Sequence, residues 1–316
     1  MLRANHAVRL GLRAASRNPE LSFWKALADQ AGSLLALLPV VLASLLIFGA
    51  DELLAAVRAL RVVPWPVAGG VLAALAASFT GGMLFWAGAL PLLAADAEMD
   101  RRPPAGNFWL LAGKGFARVF SAGFAAYAVG LLFSLACGAA LVAALPAALL
   151  HPSPALFAGV AVVGTVAIVG GVIVDLLARL WLVRAAAFGE GATAALPKAA
   201  SLLGARLGGL LVVTVAFFFL EMLAAAGAAT FSGAVSSSSF FDPDVELLAL
   251  APRAAIGLAF AAVFAWLEVG RMGAIAAIAL DAEGLIAPPA PPPPPEPPVP
   301  VAEPVVEALP VEDAPE

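Results

Sequence analysis

The sequence predicts an all-α membrane protein, a bundle of six transmembrane helices. Within it runs a weak repeat of three tandem hairpins, each preceded by an interfacial helix on the cytoplasmic side. Three observations carry this expectation. Hydrophobic residues make up 62% of the 316 residues and charged residues only 12%, about half the charged fraction of a soluble domain. Six apolar runs are long enough to cross a bilayer. The lysines and arginines gather on alternate connections between those runs.

A spanning helix needs ~20 mostly apolar residues at ~1.5 Å each to cross ~30 Å of hydrocarbon. The six runs cover residues 31–50, 65–95, 117–150, 155–188, 207–229 and 254–280. Inside hydrocarbon each backbone N–H needs an internal partner, so the runs are read as helices. None has the alternation of a membrane β-barrel strand. Pro64 and Pro66 flank the second run, and His151-Pro152-Ser153-Pro154 marks a turn between the third and fourth. Pro39, Pro91 and Pro146 fall within spans, where membrane helices tolerate a kink.

Residues 1–30 form a basic amphipathic segment, expected at the cytoplasmic surface and retained. They have no signal-peptide pattern, because the first apolar run begins only near Ala31 and no small-residue cleavage site follows it. Residues 31–280 are the six-helix domain. Residues 281–316 are an acidic, proline-rich tail that holds eight acids and no base. The net charge of −5 therefore comes from the tail, and the body is mildly basic, too mildly for a nucleic-acid surface. The run Pro291–Pro295 points to polyproline II or disorder. Such a segment is either a solvated spacer or a docking strand for a protein partner.

Orientation follows from the bases. The N-terminal segment carries Arg3, Arg9, Arg13, Arg17 and Lys25. Arg101, Arg102, Lys114 and Arg118 lie between the second and third spans. Arg179, Arg184, Lys198 and Arg206 surround the connection between the fourth and fifth, and Arg271 is on the sixth. Only Arg58, Arg61 and Arg253 fall on the other side. By the positive-inside rule both termini face the cytoplasm. With the abundance of Arg, Ala, Gly and Pro, this places the chain in a bacterial inner membrane.

The repeat rests on short stretches before the odd-numbered spans: Phe23-Trp24-Lys25, Phe108-Trp109 with Lys114, and Leu196-Pro197-Lys198. Each even-numbered span ends in small residues with an acid: Asp96 and Glu98, then Glu190, then Asp281 and Glu283. Aromatic rings and lysines suit the headgroup zone, either as a lipid-sensing surface or as plain anchors of the bundle.

The candidate site residues are charges inside spans, since a charge at the bilayer centre costs ~3 kcal/mol or more. Asp175 and Arg179 lie four apart on the fourth span, and Glu268 and Arg271 three apart on the sixth, so each pair shares a face. Both fall in the inner half, and a four-member ion network between them is geometrically allowed. It is read either as a polar pathway or as interhelical staples. Glu221 stands as an isolated acid in the outer half of the fifth span. Gly204-Ala205-Arg206-Leu207-Gly208 has the GxxxG spacing that lets helices approach closely, and ordinary bundle packing is expected of it.

The remaining residues exclude more than they offer. Cys137 is alone, so no intramolecular disulfide forms, and it reads as a small buried hydrophobe. His6 and His151 are far apart, and no metal-ligand spacing occurs. There is no P-loop, dinucleotide fingerprint or nucleophile elbow. Asp242, Asp244 and Glu246 on an outer loop fit a capped turn better than a cation site.

The stretch from Arg179 to Val213 has a further cadence: a basic helix end, then Ala187-Phe188-Gly189-Glu190-Gly191-Ala192-Thr193, then a short helix with Ser201 and Arg206, then an apolar span. It resembles the uncharacterised six-helix bacterial membrane proteins that include the membrane domain found beside some glycerophosphodiester phosphodiesterases. The resemblance implies a multipass inner-membrane protein over about residues 15–285. It does not carry phosphodiesterase activity, because no such catalytic domain is present. The expectation is a non-enzymatic protein without cofactors whose partners are the lipid bilayer and a protein at the tail. It would organise or sense the membrane, or anchor that partner. The alternative is a transporter or channel-like protein using Asp175, Arg179, Glu268 and Arg271. The oligomeric state is left open.

Overall fold

A computed structural model describes residues 2–32, 65–99, 107–150, 153–237 and 246–286. The expected first span (31–50), the turn at His151-Pro152, the acids Asp242 and Asp244 and the proline-rich tail lie wholly or almost wholly outside the described residues. Among those described, all secondary structure is helical. The helices are α1 (Ala4–Arg17), α2 (residues 19–32), α3 (Trp65–Met99), α4 (Phe108–Leu150), α5 (Pro154–Ala187), α6 (Ala192–Ser237) and α7 (Glu246–Ala282). Five of them, α3 to α7, are long and apolar enough to cross a membrane, and the chain is a membrane-embedded multipass protein.

Local chemistry sets the breaks. Asn18 ends α1: its Nδ2 donates to the Ala14 carbonyl at 2.8 Å, and Pro19 opens α2 where a missing N–H costs nothing. Ser153 caps α5, its Oγ accepting from Leu156 N at 3.2 Å with Pro154 next. α5 runs into Gly189 at φ 67°, and α7 stops at Gly284 at φ 71°. There Leu285 N donates to Leu280 O and Gly284 N to Asp281 O, a Schellman motif that needs glycine.

The stretch expected as a separate interfacial helix before the third span is instead the first turns of α4, whereas the stretch before the fifth span is a helical segment of its own, set off from the span by a break at Arg206. α4 begins at Phe108, and α6 runs from Ala192 through one kink at Arg206 (φ −124°, ψ 17°). Leu and Ala favour helix on both sides of the joint expected in α4, and the chain runs through it.

Burial divides every long helix at one level. In α3, Ala74 alone is buried between residues 69 and 84, whereas from Phe85 to Ala97 only Pro91 and Ala95 are not. No residue of α4 from Tyr127 to Leu145 is buried, none of α5 before Leu176, and none of α6 from Phe218 to Ala234. In α7 no described side chain before Ala265 is buried, and from there to Leu280 only Trp266, Glu268 and Arg271 escape. The helices thus have a loose half, whose exposed surface is Leu, Val, Ile and Phe, and a packed half.

α1 belongs to the packed half. Its Ala7, Ala14 and Ala15 are at most 2% exposed, and it packs chiefly against α7. Gly11 is the pivot: a Cβ there would run into the Gly270 carbonyl and the backbone of Ala274, and Gly273 faces it. The two backbones touch. By contrast a Cβ on Gly204 or Gly208 would meet nothing within 4 Å. Among the described residues the GxxxG face of α6 therefore meets no other helix.

Candidate functional site

The level at which burial changes carries the charges. Asp175 and Arg179 pair within α5, Nε to Oδ2 at 2.7 Å, and Arg179 also points a nitrogen at Met272 Sδ, 3.5 Å away. Glu268 on α7 accepts from Lys25 Nζ at 2.8 Å. Lys25 also holds Asp29, one turn along α2, at 2.6 Å and lies 5.9 Å from the Trp86 ring centroid. Arg271 pairs with Glu221 of α6 at 3.2 Å.

The four residues expected to form one network do lie in one layer, since Arg271 sits within electrostatic reach of Arg179, Asp175 and Glu268. Asp175 and Arg179 pair as their spacing implies, whereas Glu268 and Arg271 take partners on other helices. Asp175 and Arg179 satisfy each other along one helix face. Glu268 turns to α2, where Lys25 bridges it and Asp29, and Arg271 turns to α6. Glu221 is not isolated: its partner is fifty residues away in sequence and across the α6–α7 interface. Sequence spacing finds partners one turn apart but not across helices.

Lys25 is the layer residue that sequence reasoning did not place here. Its side chain is 8% exposed. Burial disfavours the ammonium, but the carboxylates of Glu268 and Asp29 outweigh it and hold Lys25 above its ordinary value. It stays a cation at neutral pH. The available signal was the lysine common to all three stretches before the odd-numbered spans.

A second tier of ion pairs closes the far end of the packed half, and it uses the acids at the ends of α3, α5 and α7. Asp96 accepts from Arg17 at 3.3 Å and from Asn18 at 3.1 Å. Asp281 accepts from Arg206, at the α6 kink, and from the Leu2 backbone N–H, both at 2.9 Å. Arg184, 4% exposed, grips Glu190 through two nitrogens at 3.2 Å and Glu283 at 2.5 Å, and lies over the Phe188 ring at 4.5 Å. Glu190 also holds Lys198 at 2.7 Å. Arg118 donates to the Gly189 carbonyl at 2.8 Å, and Trp181 Nε1 to the Ala192 carbonyl at 2.7 Å.

Chemically this arrangement is a set of acid–base pairs. Among the described residues no group of three His, Cys, Asp or Glu is placed to hold a metal ion. Each of these carboxylates pairs with a base, Glu268 and Asp29 sharing Lys25 and Glu190 and Glu283 sharing Arg184. Among the described residues three buried polar atoms have no hydrogen-bond partner, Ser22 Oγ, Thr214 Oγ1 and Arg271 Nε, and the last alone belongs to a charged group.

The Glu221–Arg271 pair can be weighed directly. Glu221→Leu is expected to cost about 1–3 kcal/mol, because it leaves a charged donor of the layer unpaired. Adding Arg271→Met should recover most of that loss, since an apolar pair of similar volume is often neutral. Unfolding of both single variants and the double in detergent measures the coupling. Simply additive losses would mean that the two side chains do not act as a pair.

No protein-family model, no curated protein and no solved structure matches the chain.

Proposed function

We propose that this chain is a non-enzymatic multipass scaffold that organises the membrane or anchors a partner at its inner face. In this reading residues 31–50 supply a sixth span, and the spans form three hairpins. Both termini lie in the cytoplasm of a bacterial cell, and the resemblance to six-helix bacterial membrane proteins belongs to the same proposal. The loose halves of the helices, each roughly 20 residues, match the ~20 needed to cross ~30 Å of hydrocarbon. The packed half then stands beyond the hydrocarbon as a rigid platform, and the acidic tail follows it as a partner-docking or spacer segment.

The observation that carries this reading is the coincidence of three things at one level: the change in burial, the ion-pair layer and the start of the α1-clad packing. A surface of bare Leu, Val and Ile is stable against lipid tails. A surface carrying Arg9, Arg13, Lys114 and Lys198, all exposed, is stable against water and headgroups. Paired charges fix the helices at the join.

A transport reading is favoured by one feature, the buried and unsatisfied Arg271 Nε. The two readings separate at Met272, which is 1% exposed and abuts Arg179. In a Cys137→Ser background, Met272→Cys is treated in sealed membranes with an impermeant thiol reagent from either side. A scaffold leaves this thiol protected from both sides until the protein is denatured. Labelling of the native protein from the two sides in turn would replace the scaffold with a transporter.

A further inference from the structure

We infer that the outward face of α1 is a docking surface for the headgroups of anionic phospholipids in the leaflet on its side of the bilayer. The inference deepens the scaffold reading and rests on its placement of the hydrocarbon against the loose half.

An amphipathic helix at a membrane ordinarily lays its apolar face into the lipid. α1 cannot do so, because Ala7, Gly11, Ala14 and Ala15 are used up against α7. What remains outward is polar and of one sign. Arg3, His6, Arg9 and Arg13 are exposed, and residues 3–17 contain no carboxylate.

Height decides what this face meets. Gly11 touches α7 at Gly270 and Ala274, only two to six residues beyond Glu268 in the ion-pair layer. At ~1.5 Å per residue that is about 3–9 Å past the layer. The headgroup zone occupies about 5–8 Å on each side of the hydrocarbon. Arg9, half a turn from Gly11, emerges in that zone and beside α7 rather than over its end.

An independent marker lies at the same level. Phe23, Trp24 and Trp109 are 61%, 43% and 62% exposed. They stack edge to face, Phe23 on Trp24 at 5.6 Å and Trp24 on Trp109 at 6.4 Å between centroids. Trp24 is next in the chain to Lys25, which reaches Glu268. Exposed tryptophans characterise the membrane–water boundary. A boundary drawn through these rings leaves Arg9 just on its polar side, where its guanidinium can chelate a phosphate.

The test uses the full chain in detergent, offered an equimolar mixture of phosphatidylglycerol and phosphatidylcholine, with retained lipid counted by native mass spectrometry. The wild type should retain phosphatidylglycerol in preference. The Arg9→Gln variant should lose about fivefold of that preference, and Arg9→Lys should keep most of it. Equal retention of the two lipids by the wild type, or an unchanged preference in a folded glutamine variant, overturns the docking surface. Such a failure with the Met272→Cys thiol still protected would remove this surface and leave the scaffold standing.

Discussion

Arg184→Met is expected to destabilise the protein by about 3–5 kcal/mol, the cost of breaking a buried ion pair by removing one partner. Arg184 joins the loop after α5, through Glu190, to the end of α7, through Glu283. Removing it leaves two carboxylates near one another at the close-packed end, with only Lys198 in reach of Glu190. The ring contact with Phe188 goes as well. Arg184→Lys should recover only part of the loss, because an ammonium cannot present two parallel donors to Glu190 while also holding Glu283. Chemical unfolding in detergent measures both variants. A loss below about 1 kcal/mol, the worth of an exposed pair, would mean that the clamp does not join α5 to α7.

Gly11→Leu should release α1. The new side chain meets the Gly270 carbonyl and the Ala274 backbone, and backbone cannot swing aside as a rotamer can. Overpacking costs about 1–3 kcal/mol. Here the relief is undocking, which also strips the bond from Leu2 N to Asp281. Trypsin should then cut at Arg13 and Arg17 much faster than in the wild type. Gly113→Ala is the control: its Cβ meets nothing, so the helix should keep or slightly gain stability. Equal protease resistance of the Gly11→Leu protein would contradict the close α1–α7 contact.

These two sites also mark where the sequence was legible and where it was not. Apolar runs locate helices well, because lipid demands length and composition together. The expected span 155–188 is α5, Pro154–Ala187, and the expected 254–280 lies inside α7. The runs say nothing of depth. α7 is 37 residues, about 55 Å, far more than the hydrocarbon needs, and nothing in its sequence marks Ala265 as the level where packing begins.

Partners were legible only one turn apart, as for Asp175 and Arg179. Glu268 chose Lys25, and Glu221 chose Arg271, by helix rotation and depth, which spacing does not encode. The docking of α1 did leave a signal. Ala7-x-x-x-Gly11-x-x-x-Ala15 and Gly270-x-x-x-Ala274 are two small-residue stripes that meet. In a chain with 29 glycines such stripes are common, and the one at Gly204 and Gly208 meets nothing among the described residues. Only a partner stripe on another helix separates the two cases.

The central claim is that hydrocarbon covers the loose half and stops at the ion-pair layer. Nitroxide accessibility in reconstituted bilayers tests it most directly. In the Cys137→Ser background, single labels replace Val162 and Ile168 on the loose half of α5, and Thr193 and Ala200 on the packed half of α6, all exposed positions. The account predicts collisions with oxygen but not with a water-soluble nickel chelate at Val162 and Ile168, and free access of the nickel chelate at Thr193 and Ala200. Shelter of Thr193 and Ala200 from nickel to the same degree as Ile168 would put the packed half inside the bilayer and contradict the account.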